Sequence, residues 1–232
     1  MTAPKPSTKC PTIPNTYSTA IAKDLVCSHM STPILSYFDF PGGRGEASRL
    51  ALHIAGVDWV DDRFSGDWPA RKTTTPFGGL PTLEVPGQGI IAQSNAILAY
   101  IGRQYGLLPT DSWEAARHEA LMNAVEDLRA EVATTGKKDD IEKKKAREAF
   151  ASGYFQRWVT NVSKQIQGPF VSGDTISVAD LKLFVALRAY TKGVYDHIPR
   201  DILAPYPKVS TLIDAVAAHP RVADWYAPAD QS

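Results

Sequence analysis

The sequence predicts a small α/β sheet domain followed by an all-α domain, on three observations. Between residues 34 and 105, short apolar runs of strand length alternate with segments whose apolar residues recur every three or four positions. Beyond Gly106 no strand pattern survives. Gly and Pro stand where one pattern gives way to the next.

Taken in order, Ile34–Phe38 reads as a strand. Pro41-Gly42-Gly43 breaks it, and a helix follows over Glu46–Ala55, with Ala47, Leu50, Ala51, Ile54 and Ala55 on one face and Gly56 as a C-cap signal. Val57–Phe64 reads as a second strand, and a short helix follows Pro69. Thr82–Val85 and Gly89–Ala92 form a hairpin about Pro86-Gly87-Gln88. Ser94–Tyr105 is a helix with Ser94 read as its N-cap. The order is βαβ, then α, then ββα, which makes a sheet with helices on its faces.

The rest reads as helices. Trp113–Thr135 carries apolar residues at 116, 120, 121, 124, 125, 128 and 132. Asp140–Lys164 has Ala146, Phe150, Tyr154 and Trp158 at four-residue spacing. Ser177–Thr191 opens on Ser177-Val178-Ala179-Asp180, a capping-box pattern with Ile176 placed as a staple. Pro207–His219 and Pro220–Trp225 each begin with Pro. In the Lys137–Lys145 cluster, acids interleave with the lysines, which marks a solvated helix flank.

Residues 1–32 differ in composition, with ten Ser/Thr, four Pro and few large apolar side chains. Such a stretch buries too little surface to offset its ordering entropy and reads as a disordered or surface-draped leader. It has one acid and no Arg, an imperfect match to a transit peptide, and Met30 stands as an alternative start.

Composition removes several classes of function. Lys+Arg and Asp+Glu both number 25, so no net field draws the chain to nucleic acid or a membrane. The longest apolar runs are far too short to span a bilayer. Both cysteines, Cys10 and Cys27, lie in the leader, which leaves a bridge between them open. No cysteine nucleophile, redox pair or thiolate zinc site is available from residue 28 onward.

Three stretches bear chemistry. In the first, Tyr37 ends a strand, and Arg44 stands just before a helix start. The phenol and the free N–H groups there suit an anion, and a plain surface βα turn is the alternative. In the second, Pro76-Phe77-Gly78-Gly79-Leu80-Pro81, Pro81 precedes a strand. It is either an ordinary strand-start Pro or a cis Pro that turns the Leu80 backbone outward as an edge for an extended peptide. In the third, Gln93-Ser94, a hydroxyl and a helix start suit a carboxylate, while the amide serves an amine or a carboxylate.

Together and in this order, Tyr37 with Arg44, Asp67-Trp68-Pro69, Pro76-Phe77-Gly78-x-Leu80-Pro81, Gln93-Ser94-Asn95-Ala96-Ile97-Leu98 and Ser177-x-x-Asp180 resemble the cytosolic glutathione transferases of the tyrosine type, most of all their sigma class. The resemblance covers residues 33 to about 226. It implies a thioredoxin-like glutathione-binding domain over 33–106, a linker over 107–112, an all-α domain over 113–232, and a cytoplasmic homodimer. Glutathione enters as co-substrate, with no cofactor or metal. Tyr37 matches the catalytic tyrosine. Arg44, Trp68, Lys72 and Gln93 match positions that hold the peptide's polar ends and backbone. Gly78, Gly79, Leu80 and Pro81 lie along the peptide, with Leu80 pairing its cysteinyl unit. Ser94 matches the binder of the γ-glutamyl carboxylate. Asp127 matches an acid reaching the γ-glutamyl amine across the dimer. Phe38 and Phe40 flank the hydrophobic substrate.

The implied activity is conjugation of glutathione to small electrophiles. A glutathione-dependent isomerase of the prostaglandin-D-synthase type and a non-enzymatic structural protein are the alternatives. Three features depart from the family pattern. The Tyr37–Arg44 spacing is one residue long because of Gly42-Gly43, Gly79 stands where sigma members often carry Lys, and the leader has no counterpart.

Overall fold

The computed structural model describes residues 32–136 and 139–227. The expectations for residues 1–31, including the cysteines and Met30, lie outside the described residues. The elements run β1 (Ile34–Phe38), α1 (Glu46–Ala55), β2 (Val60–Phe64), α2 (Trp68–Thr73), β3 (Thr82–Val85), β4 (Gly89–Ala92) and α3 (Ser94–Tyr105). Helices follow: α4 (Ser112–Ala133), α5 (Asp140–Phe150), α6 (Gln156–Gln165), α7 (Val178–Thr191), α8 (Pro207–Ala218) and α9 (Pro220–Trp225). The expected class holds, a mixed sheet domain followed by a helical one.

The sheet order is β2-β1-β3-β4. β1 runs parallel to β2, with Ile34 opposite Val60, and antiparallel to β3, with Leu35 opposite Leu83. β1 is thus central, and Leu35 and Tyr37 on it are buried. Parallel pairing requires a crossover, which α1 supplies. α1 ends at Gly56 in the left-handed conformation (φ 68°), its N–H bonded to the His53 carbonyl.

Three boundaries differ from the sequence reading. β2 begins at Val60, not Val57, because pairing starts where the Val60 N–H meets the Pro33 carbonyl. The span Asp140–Lys164 is not one α-helix: a π-helical turn over Ala151–Phe155 separates α5 from α6. A single π-helical turn, closed by i→i+5 bonds, leaves residues four apart on nearly one face, so the spacing alone reads as continuous helix. Ser94 is the first helical residue of α3 rather than its cap. Gln93 holds the cap position, with no side-chain cap bond.

α7 is the axle of the molecule. Val178 through Leu187 are all buried, and the helix packs on α4 and α8 of the helical half and on α1 and α3 of the sheet half. A single apolar core therefore runs through both halves. The start of α7 is fixed by a complete capping box between Ser177 and Asp180. The Asp180 carboxylate also accepts from the Val171 N–H at 2.7 Å, tying the preceding loop to the helix.

Candidate functional site

β1 delivers Tyr37 to the end of the sheet with 6% of its surface exposed. Its hydroxyl oxygen accepts from the Arg44 backbone N–H at 2.9 Å. A phenol whose oxygen is already an acceptor keeps its own proton to donate elsewhere. The extra residue before Arg44 is absorbed by Gly42 and Gly43, both at positive φ (99° and 69°), a conformation that glycine adopts freely. Arg44 therefore serves Tyr37 through its backbone, while its guanidinium pairs with Glu126 at 2.7 Å.

Gly45 lies against the face of the Tyr37 ring. A Cβ there would overlap the ring carbons, with Tyr37 Cβ at 2.7 Å. Gly45→Ala is expected to displace the ring and to cost about 1–3 kcal/mol of stability by overpacking. Urea denaturation reads this loss, and an unchanged midpoint would contradict the packing.

Beside Tyr37 lies an aromatic shelf. Its ring is 5.5 Å from Phe38 and 5.4 Å from Phe40, and Phe38 is 5.1 Å from Trp68. Phe40 is 43% exposed, so an apolar face is offered outward next to the phenol. Trp68 opens α2, whose N-cap Asp67 accepts from the Ala70 N–H, with Pro69 in the first turn. Lys72 is exposed on α2, with its stem over Gly78. A Cβ added at Gly79 would meet nothing within 4 Å. The Leu80–Pro81 bond is cis, and Leu80 lies outside the ladder, which begins at Thr82.

Gln93 is exposed with φ 73°, unfavourable for a residue bearing a Cβ by about 1–3 kcal/mol, at the entrance to α3. The first N–H at the start of α3 to find a helical carbonyl is that of Ile97, bonded to Gln93 O at 3.0 Å. The N–H groups ahead of it are the orphan donors of an uncapped helix start. Ser94, 6% exposed, stands among them. Asp127 is exposed on α4 and is not brought to the others within the single chain.

Three residues of this region were not read from the sequence. Lys182 on α7 has no exposed side-chain surface, and its ammonium lies 2.6 Å from Glu126 Oε1. It donates to Ser94 Oγ at 2.9 Å. Burial pushes its pKa down to about 8; Glu126 opposes that shift, and Arg129 and Arg44 add to it. Burial alone would raise Glu126, but Lys182, Arg44 and Arg129 outweigh it and hold the carboxyl below its ordinary value. Arg129, the third, donates to the Gly43 carbonyl at 3.0 Å and pins the Gly loop to α4. The available signal was a lysine inside the run Val178–Leu187, which is apolar apart from it and the capping Asp180.

One cluster has metal-ligand spacing among the described residues, Asp140, Asp196 and His197. Lys143 lies 2.7 Å from Asp196, and Arg147 pairs with it too, so these acids already have cationic partners.

The pattern of the glutathione S-transferase C-terminal domain matches residues 126–229. Glutathione S-transferase 1 of Ascaris suum is 31% identical over 201 residues, covering 83% of this chain and 94% of that protein. Hematopoietic prostaglandin D synthase of Gallus gallus is 31% identical over 200 residues, covering 82% and 93%. The solved sigma class GST of Fasciola hepatica superposes with a TM-score of 0.72 at 28% identity, covering 84% of this chain and 94% of that one. The chain belongs to the glutathione S-transferase family of enzymes.

Proposed function

We propose that the chain is a sigma-type glutathione S-transferase that conjugates reduced glutathione to small hydrophobic electrophiles, with the Tyr37 hydroxyl donating to the thiolate. The observation that carries the reading is the Arg44 N–H on Tyr37 Oη, which leaves the phenol's own proton for a ligand. An ordinary thiol has a pKa of about 8.5, and lowering it by about two units takes roughly 2.7 kcal/mol of preferential anion stabilisation. A charge-assisted hydrogen bond supplies about 1.5–3 kcal/mol of this. The uncapped start of α1 adds a few tenths to about one more.

In this reading Arg44, Trp68, Lys72, Gly78, Gly79, Leu80, Pro81, Gln93 and Ser94 hold the peptide. Ser94 takes the γ-glutamyl carboxylate, and the Leu80 backbone pairs the cysteinyl unit. Phe38 and Phe40 face the electrophile. Asp127 reaches the γ-glutamyl amine in a homodimer, a role in keeping with its exposure on α4. Phe77, 72% exposed on the loop before β3, supports the dimer as a large apolar side chain without cover. Residues 33–106 form the glutathione-binding domain and 113–232 the helical one, joined by 107–112, in a cytoplasmic enzyme that needs no cofactor. No helix among the described residues is long and apolar enough to cross a membrane.

A glutathione-dependent isomerase of the prostaglandin-D-synthase type is the second reading, favoured by the likeness to the Gallus gallus protein. The same thiolate would add to a substrate and be released. The test is incubation with glutathione and a generic aryl halide. Formation of the thioether is expected. Absence of both product and measurable glutathione binding would overturn the proposal, and binding without conjugation would favour the isomerase.

A further inference from the structure

Lys182 is the one charged side chain in the Val178–Leu187 run apart from the capping Asp180, and it is fully buried. Two groups lie against its ammonium. Ser94 Oγ on α3 lies at 2.9 Å and Glu126 Oε1 on α4 at 2.6 Å. The guanidiniums of Arg44 and Arg129 stand beyond Glu126, Arg44 Nε at 2.7 Å and Arg129 Nε at 3.9 Å from its oxygens. Ser94 is thus the group through which Lys182 meets the start of α3.

An ammonium has donors and no acceptor. A serine hydroxyl that accepts from it cannot return its own proton, so that proton must point elsewhere. Among the described residues the Ser94 hydroxyl makes no hydrogen bond of its own as donor. Ser94 is itself the first residue of α3, so its hydroxyl and the orphan N–H groups of the uncapped start belong to the same helix end, a place suited to an anion.

We propose that Lys182 is a positioning residue for carboxylate recognition: it fixes the Ser94 hydroxyl as a donor and places a buried positive charge behind it, so that the γ-glutamyl carboxylate is selected. This rests on the reading that glutathione is the ligand and that Ser94 meets its γ-glutamyl end. Lys182 itself touches Ser94, not the peptide. A buried charge is a costly way to orient a hydroxyl. With a folded pKa of about 8 against 10.5, the unfolded chain binds more protons between those values, and for this group stability rises with pH across that window. The charged form is therefore held at the expense of the fold, and a binding role offsets that expense.

Titration of Lys182 would release the hydroxyl. A neutral amine both donates and accepts, so the Ser94 proton is no longer directed away from it, and the anion loses the charge behind the hydroxyl. Glu126, Arg44 and Arg129 are the charged groups that bias this titration, Glu126 upward and the two arginines downward.

The test is direct binding, by calorimetry, of S-hexylglutathione and of its analogue lacking the γ-glutamyl α-carboxylate, to wild type, Lys182→Gln and Lys182→Arg. Lys182→Gln is expected to weaken S-hexylglutathione about tenfold. The decarboxylated analogue should bind both proteins alike, and Lys182→Arg should restore most of the loss. An equal loss for both ligands would make Lys182 merely structural and overturn the proposal. If Lys182→Gln does not fold, the wild type decides. Its preference for the carboxylate-bearing ligand should shrink as pH rises from 6.5 through 8.5, and a constant preference would overturn the proposal. Failure of the wild type to bind S-hexylglutathione at all would instead defeat the glutathione reading itself.

Discussion

Asp180→Ala is expected to destabilise the chain by about 3–5 kcal/mol, the largest effect of any single side-chain truncation proposed for this fold. The carboxylate is fully buried. One oxygen accepts from the Val171 N–H at 2.7 Å, and the other from the Ser177 N–H at 2.8 Å and the Ser177 hydroxyl at 2.6 Å. Alanine leaves two backbone donors buried without acceptors and removes half of the capping box. Burial raises the Asp180 pKa, although all three bonds favour the ionised form. A folded pKa above the unfolded one makes this group's stability contribution greatest below the unfolded pKa, and it declines as pH rises through the folded one. Asp180→Asn retains the shape and one acceptor oxygen but sets its amide NH2 against either the Val171 N–H or the Ser177 N–H, so it too should be destabilising. Urea denaturation at pH 7 is the measurement. A loss under 1 kcal/mol for Asp180→Ala would mean that α7 is held by its apolar contacts alone. Because α7 also carries Lys182, the variant should weaken ligand binding as well.

Tyr37→Phe is expected to lower kcat for conjugation by about 10- to 100-fold, from the 1.5–3 kcal/mol of a hydrogen bond to an anion. Glutathione affinity should change less than about threefold, because in the proposed binding mode the peptide is held by groups distributed along Trp68, Leu80 and Ser94 rather than by the phenol. A loss confined to kcat marks an interaction used on the thiolate more than in binding. The variant should also fold normally. The ring keeps its contacts with Phe38 and Phe40, and among the described residues the one hydrogen bond lost is that from the Arg44 N–H. Equal rates for variant and wild type would remove Tyr37 from the chemistry.

Much of the fold was legible because local signals agreed with the tertiary outcome. β1, the hairpin strands β3 and β4, α1, α3 and α9 occupy the spans that periodicity and turn residues indicated. The Ser177–Asp180 box is local chemistry and survives as read. The failures came where a distant partner decided. Nothing within Val57-Asp58-Trp59 says that pairing waits for Val60; the Pro33 carbonyl does. A π-helical turn leaves the apolar spacing nearly intact, so Ala151–Phe155 read as plain helix. Ser94 has the side chain of a cap, yet its hydroxyl is taken by a lysine 88 residues away.

The candidate site was legible in its N-terminal part and silent in its C-terminal part. Tyr37, Leu80-Pro81 and Gln93-Ser94 advertise themselves through Pro, Gly and helix-start residues. Glu126, Arg129 and Lys182 sit on helices whose surface pattern is otherwise ordinary, and only their meeting across α4 and α7 gives them a role. Glu126 turns inward to Arg44 and Lys182, while its neighbour Asp127, which the family resemblance assigns to a partner across the dimer, is exposed. One helical position separates the two, about 100° of rotation, and an apolar stripe does not fix a facing that finely.

The proposed mechanism turns on stabilisation of a thiolate by Tyr37. Ultraviolet difference titration of glutathione bound to the wild type and to Tyr37→Phe, following thiolate absorbance against pH, tests it most directly. A bound thiol pKa about two units below the free value of about 8.5 is expected in the wild type, with most of that shift lost in Tyr37→Phe. A bound thiol that titrates at the free value in the wild type, or at the same lowered value in both proteins, would contradict it.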